Sequence, residues 1–161
     1  MIRAEGVSKS YGSHQALKPL DLSISEGKIF GLLGPNGAGK TSFIRILNQI
    51  TAPDQGQIFF KDEPLVPEHI RKIGYLPEER GLYPKMRIGE QLLYLAQLKG
   101  VEKAAAKELI THWLKRFSLW EWKDKTVEEL SKGMAQKVQF IATVLHQPEL
   151  IILDEPFTGF D

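Results

Sequence analysis

Residues Gly34, Pro35, Asn36, Gly37, Ala38, Gly39, Lys40 and Thr41 follow the order GxxxxGK[ST], with Ser42 next in line. Glycines at this spacing let successive backbone N–H groups turn inward around an anion, and the positive end of a following helix faces the same charge. Lys40 would reach the β- and γ-phosphates of a nucleotide, and Thr41 would offer its hydroxyl to Mg²⁺. A second chemical element is the pair Asp154 and Glu155, directly after the apolar run 150–153. A buried strand there would deliver Asp154 to its carboxyl end to hold Mg²⁺ through water, with Glu155 polarising the water that attacks the γ-phosphate. Taken alone, the acidic pair also suits a polar turn ending a strand. The guanine-reading pattern NKxD is absent, so adenine is the expected base. Tyr11, ahead of the glycine-rich run, offers an aromatic face for it or simply closes a strand.

These residues need elements to hold them. Short β-type runs broken by Gly, Pro and Asp predict strands at 2–7, 20–24, 29–33, 58–60 and 73–76. Phe43, Leu47 and Ile50 share one helical face and predict a helix after Gly39. From 88 to 146 the chain reads as helical, with stripes Ile88, Leu92, Leu95 and Val138, Ile141, Ala142, Leu145, and between them the strong helix former KAAAKELITHWLKRF. The unalternating run 150–153 predicts a parallel strand buried on both faces.

Composition sets bounds. The 161 residues suffice for one domain, and 21 basic against 20 acidic residues leave no basic footprint for nucleic acid, so any anion site is local. With no cysteine there is no disulfide, thiolate metal site or cysteine nucleophile. The longest aliphatic run is far short of the roughly 20 residues of a membrane span. His14, His69, His112 and His146 lack metal-ligand spacing and read as solvated or structural.

In this order and spacing the motifs closely resemble the ATP-binding subunit of ABC transporters over essentially the whole chain. Tyr11 falls where the family stacks adenine, residues 34–41 match the Walker A loop, IGYLPEE the Q-loop, LSKGMAQKVQ the signature motif, LIILDEP Walker B and TGFD the D-loop. The resemblance implies an α/β fold: a P-loop NTPase (RecA-like) core sheet with an N-terminal antiparallel β subdomain and an inserted α-helical subdomain, incomplete at the C-terminus. Its regions would be 1–80 for the nucleotide-binding core, 81–147 for the helical subdomain and 148–161 for Walker B and the D-loop. It also implies ATP and Mg²⁺ as ligands, a head-to-tail homo- or heterodimer, transmembrane permease partners, no nucleic acid, and a place on the cytoplasmic face of the cell membrane.

Within that pattern Ser131 and Gly133 would touch the ATP of the partner subunit, and Ser131 suits the N-cap of its own helix as well. Two departures stand out. Lys132 and Met134 alter the common LSGGQ signature, and Glu78 takes the place of the Q-loop glutamine, where a carboxylate can face Mg²⁺ or pair with Arg80. Both look like the exporter-type branch. Tyr83, in RGLYPKM, is the candidate docking contact for a membrane subunit, while Trp113, Phe117, Trp120 and Trp122 read as core. The family's switch histidine and a central strand lie beyond the D-loop, so the resemblance predicts a fragment of a longer protein that hydrolyses ATP weakly if at all. Alternatives are a soluble ABC-type ATPase or a nucleotide-binding module without turnover.

Overall fold

The computed structural model describes residues 1–78 and 81–155. They form two compact units, Met1–Ile70 and Arg71–Asp161.

In the first unit, β1 (Ile2–Tyr11) and β2 (His14–Ile24) make a hairpin that closes at the pair Tyr11 and His14. Strand β3 (Gln55–Phe60) lies on the other edge of β1, and the short β4 (Glu63–Pro64) pairs with β3, all antiparallel. Ile2 stands opposite Phe60 and Ala4 opposite Ile58, all four buried, so one face of the sheet supplies the core. Helix α1 (Lys40–Leu47) has only eight residues, too few to persist without tertiary support, and it gains that support by burying Phe43, Ile44, Ile46 and Leu47. Ile50 was expected on the same stripe but lies past the helix end and is 61% exposed. The Asn48 side chain donates to the Ile44 carbonyl, and Gln49 at φ 55° then turns the chain away.

The strand expected at 29–33 does not form. Ile29 and Leu33 are 105% and 91% exposed, and Phe30 is also exposed. An apolar run becomes a strand only where a neighbour supplies the ladder, and among the described residues none lies alongside.

The second unit pairs β5 (Ile73–Leu76) with β6 (Leu150–Leu153) in parallel, Ile73 beside Leu150 through Leu76 beside Leu153. Strand β6 departs from the expectation of burial on both faces, because Ile151 and Leu153 are exposed and, among the described residues, only β5 flanks it. Helices α2 (Ile88–Leu98), α3 (Lys103–Arg116) and α4 (Lys132–Val144) pack around Leu92, Leu114, Val138 and Ile141. Of the predicted stripes, Ile88, Leu92, Val138, Ile141 and Leu145 are buried there and Ala142 packs against them, while Leu95 stands outside the cluster and Ala96 joins it instead. The aromatics Trp113, Phe117, Trp120 and Trp122 are partly buried against this cluster. The starts of α3 and α4 are fixed locally by capping side chains. The Glu102 carboxylate accepts from the amides of Ala104 and Ala105, and the Ser131 hydroxyl accepts from Met134 N–H. Gly74 lets α4 settle onto β5, since a Cβ there would lie 2.5 Å from the Thr143 carbonyl oxygen.

His146, just past α4, and Lys99, just past α2, both approach the Ile73 carbonyl, at 3.1 Å each. Burial holds the imidazole below its ordinary value of 6.5, against the opposing effect of the Ile73 contact, and the Lys99 charge adds to the lowering. A neutral histidine in the folded state means the unfolded chain takes up a proton first as pH falls below about 6.5. The expected result is a melting temperature that declines between pH 7 and 5, and a His146→Gln variant whose decline over that interval is shallower. Equal slopes in thermal melts of the two proteins would contradict this assignment.

Candidate functional site

The glycine-rich loop leads into α1 through Gly39, whose φ of 90° lies in the left-handed region, and Gly37 adopts φ 82°. No side chain caps α1, so its first amides keep their hydrogen-bonding capacity for an external acceptor. Ala38 N–H bonds the Pro35 carbonyl at 3.1 Å and tightens the turn. The Lys40 ammonium folds back over the loop and donates to the carbonyls of Gly34, at 2.7 Å, and Pro35, at 3.0 Å. A cation, a set of free helical amides and the exposed Thr41 hydroxyl thus gather on one turn, with Asn36 exposed on the loop and Ser42 half-buried beside Thr41. The arrangement can take a polyphosphate, whose oxygens would replace the two carbonyls as acceptors for Lys40.

Tyr11 ends β1 with its ring exposed. The Lys9 ammonium stands 5.6 Å from the ring centroid, and Asp54 anchors it at 2.7 Å. The Lys9 hydrogen bond and the Ser10 amide hold the Asp54 carboxyl below its ordinary 3.8. Sequence reasoning passed over Lys9, although its position two residues before Tyr11 puts both on one strand face.

The second unit carries the acidic candidates. The ladder between β5 and β6 continues one step, with Asp154 N–H on the Leu76 carbonyl at 2.9 Å, so Asp154 and Glu155 leave the carboxyl end of β6 beside Pro77 and Glu78. Gln139 of α4 donates to the Pro77 carbonyl and steadies that end of β5. Glu155 is at φ 47°, a left-handed backbone that disfavours a non-glycine residue by about 1–2 kcal/mol. Arg80, the sequence-proposed partner of Glu78, and the D-loop residues 158–161 lie outside the described residues. Magnesium keeps several waters and takes one or two carboxylates together with phosphate oxygens. Asp154 and Glu78 in the second unit are hard oxygen donors of that kind, as is the Thr41 hydroxyl in the first, and among the described residues no three His, Cys, Asp or Glu gather as a self-sufficient metal site. The chemistry of each of these donors suits a magnesium ion that arrives with a nucleotide.

At the start of α4, Ser131 accepts from Met134 N–H at 3.3 Å while its own O–H proton remains available to donate. Gly133, in the first turn, has nothing within 4 Å of where a Cβ would stand. Internal packing thus gives no reason for glycine there. Tyr83 is 53% exposed and packs edge-on against Tyr94 at 6.4 Å. Gln91, fully buried, grips the Tyr83 backbone from both sides, accepting from its N–H at 2.9 Å and donating to its carbonyl at 3.3 Å. Gln91 escaped the sequence reading, and the signal was a lone amide set among the apolar positions Ile88 and Leu92.

The family description "ABC transporter" matches residues 17–158. An uncharacterised ABC transporter ATP-binding protein of Bacillus subtilis (strain 168), YhaQ, is 52% identical over all 161 residues, which cover 54% of its own length. A solved ATP-binding subunit of an ABC transporter superposes with a TM-score of 0.88 at 30% identity, covering 99% of this chain and 68% of that one. The cbiO1 protein of Clostridium perfringens, part of the transporter complex cbiONQ, superposes with a TM-score of 0.82 at 25% identity, covering 99% and 67%. The chain spans about half the length of the curated relatives it matches.

Gly39 offers a direct check of the loop. A Cβ there would meet the Ala16 carbonyl oxygen at 2.5 Å in a backbone region hostile to alanine. Gly39→Ala is expected to lower stability by about 1–2 kcal/mol or more in urea titrations and to weaken nucleotide binding at least tenfold. Wild-type affinity in this variant would show that the loop conformation is not what holds the phosphates.

Proposed function

The chain belongs to the ABC transporter ATP-binding family, and on that premise we propose that it binds ATP with Mg²⁺ and serves hydrolysis that drives a membrane exporter. The observation that carries this reading is the Gly34–Thr41 turn, where an uncapped helix start and the Lys40 ammonium face the same space. In this reading Gly34, Pro35, Asn36, Gly37, Ala38 and Gly39 wrap the polyphosphate, Lys40 neutralises its β- and γ-oxygens, and Ser42 adds an amide. The Tyr11 ring stacks on adenine. Bound magnesium supplies charge neutralisation at the γ-phosphate. Thr41, Asp154 and Glu78 are the residues that would hold it, and Glu155 accepts a proton from the attacking water. Strain at Glu155 supports a functional role, since an unfavourable backbone persists where surrounding structure enforces it.

Ser131 and Gly133 would act on the ATP of a second copy in a head-to-tail pair, the hydroxyl donating and the missing Cβ allowing close approach. Glu78 in the glutamine position and Lys132 with Met134 in the signature support the exporter branch. Among the described residues no helix is long and apolar enough to cross a membrane. In this reading transmembrane permease subunits form the path and the chain sits at the cytoplasmic face, as family membership suggests. Tyr83, presented by the Gln91 grip, is the proposed contact with them.

Three substitutions test the scheme. Lys40→Ala should weaken ATP binding about 10- to 100-fold, the scale of a charged hydrogen bond. Glu155→Gln should leave binding intact and cut turnover of the assembled transporter by about 10²–10⁴. Isothermal titration and phosphate release read these, and unchanged ATP affinity in Lys40→Ala would defeat the nucleotide reading. Tyr83→Ala should reduce recovery of the permease subunit on co-purification while leaving ATP affinity alone; full recovery would remove Tyr83 from the docking surface.

A further inference from the structure

We propose that Tyr75 is a positioning residue for Asp154, fixing the carboxylate that receives magnesium; the inference rests on the ATP and Mg²⁺ reading above. The Tyr75 hydroxyl stands 3.4 Å from Asp154 Oδ2. The parallel register makes this contact a consequence of the fold. Tyr75 lies beside Ile152, and Asp154 is two residues further on the same face, about 6.6 Å along the strand. A tyrosine side chain leaning along its strand spans that offset and brings its hydroxyl to the carboxylate, whereas phenylalanine of the same shape would bring no donor.

The Tyr75 backbone is held on two sides. The ladder to β6 fixes one edge, and α4 lies against it with the Thr143 hydroxyl 3.4 Å from its carbonyl, the hydroxyl proton going to the closer Gln139 carbonyl at 2.9 Å. Gly74, one residue earlier, accepts the close approach of the same turn of α4. The phenol therefore projects from a braced strand rather than a loop, as precise placement requires. At 3.4 Å the contact is longer than a mature O–H···O bond, as hydrogen bonds at ligand sites often are until the ligand is bound. With Oδ2 accepting from the phenol, the carboxylate is fixed in one rotamer and Oδ1 is directed to the metal's water shell. The energetic consequence is specific to the metal, because ATP alone makes no demand on the Asp154 rotamer.

The test titrates a fluorescent ATP analogue, trinitrophenyl-ATP, into the 161-residue chain, in EDTA and then over a range of Mg²⁺. Proteins compared are wild type, Tyr75→Phe, Asp154→Asn and the double variant. The expected result is equal affinity in EDTA for wild type and Tyr75→Phe, with the Mg²⁺ half-saturation of Tyr75→Phe raised about three- to tenfold, the scale of one net hydrogen bond. In the Asp154→Asn background, removing the phenol should change nothing further. An unchanged half-saturation in Tyr75→Phe, or an equal loss with Asp154 already replaced, overturns the proposal while leaving ATP binding standing. Absence of analogue binding in both EDTA and Mg²⁺ overturns the nucleotide reading and this inference with it.

Discussion

Backbone N–H and C=O groups taken out of water must find partners, and most of what this molecule offers a ligand follows from where that requirement is met or left open. At Gly39 it is left open. The chain enters α1 through a left-handed glycine with no capping side chain, so the first amides of the helix stay available beside the Lys40 ammonium. A serine or aspartate cap would have steadied the helix and closed off the same amides. The eight-residue helix leaves its first amides uncapped and recovers stability from the apolar face beneath it.

In the second unit the same requirement is met, and geometry results. The parallel ladder runs from Ile73 beside Leu150 to the amide of Asp154, which sets the carboxylates at one end of the strand pair. Side-chain amides complete what the ladder cannot reach. Gln139 serves the Pro77 carbonyl where β5 gives out, and Gln91 serves both polar groups of the Tyr83 backbone in the loop that follows. Each is a buried polar group with good partners, so it fixes a conformation rather than merely tolerating one. Helix α4 unites these features. It starts at Ser131, carries Gln139 and Thr143, and presses on Gly74, linking the signature residues to the strand that ends beside Asp154.

Much of this was legible in the residues. Phe43 and Leu47, Ile88 and Leu92, and Val138 and Ile141 are buried as their spacing requires, and Ser131 caps α4 with its hydroxyl on Met134 N–H. Helical periodicity survives without context because both turns of a face are set by the helix itself. Strands fared differently. Residues 73–76 and 150–153 form the expected strands and pair with each other, while 29–33, with equally strong apolar character, stands exposed and unpaired among the described residues. A strand's stability belongs to its neighbours, and no count of isoleucines and leucines records whether a neighbour is there.

The order of residues by itself determined the glycine-rich run ahead of Lys40 and Thr41, the acidic pair at a strand end, and the family to which the chain belongs, because each depends on residue types at short, fixed separations. Only the tertiary structure decided that Gln91 braces Tyr83, that Lys9 lies over Tyr11 with Asp54 holding it, and that the Tyr75 phenol meets Asp154 across 79 positions of sequence. The Lys9–Asp54 and Tyr75–Asp154 contacts depend on register and packing between distant segments, and the Gln91 grip depends on a loop folded back over its helix. Such distances are set by how many residues share a buried volume, which is a property of the folded chain and not of any stretch within it.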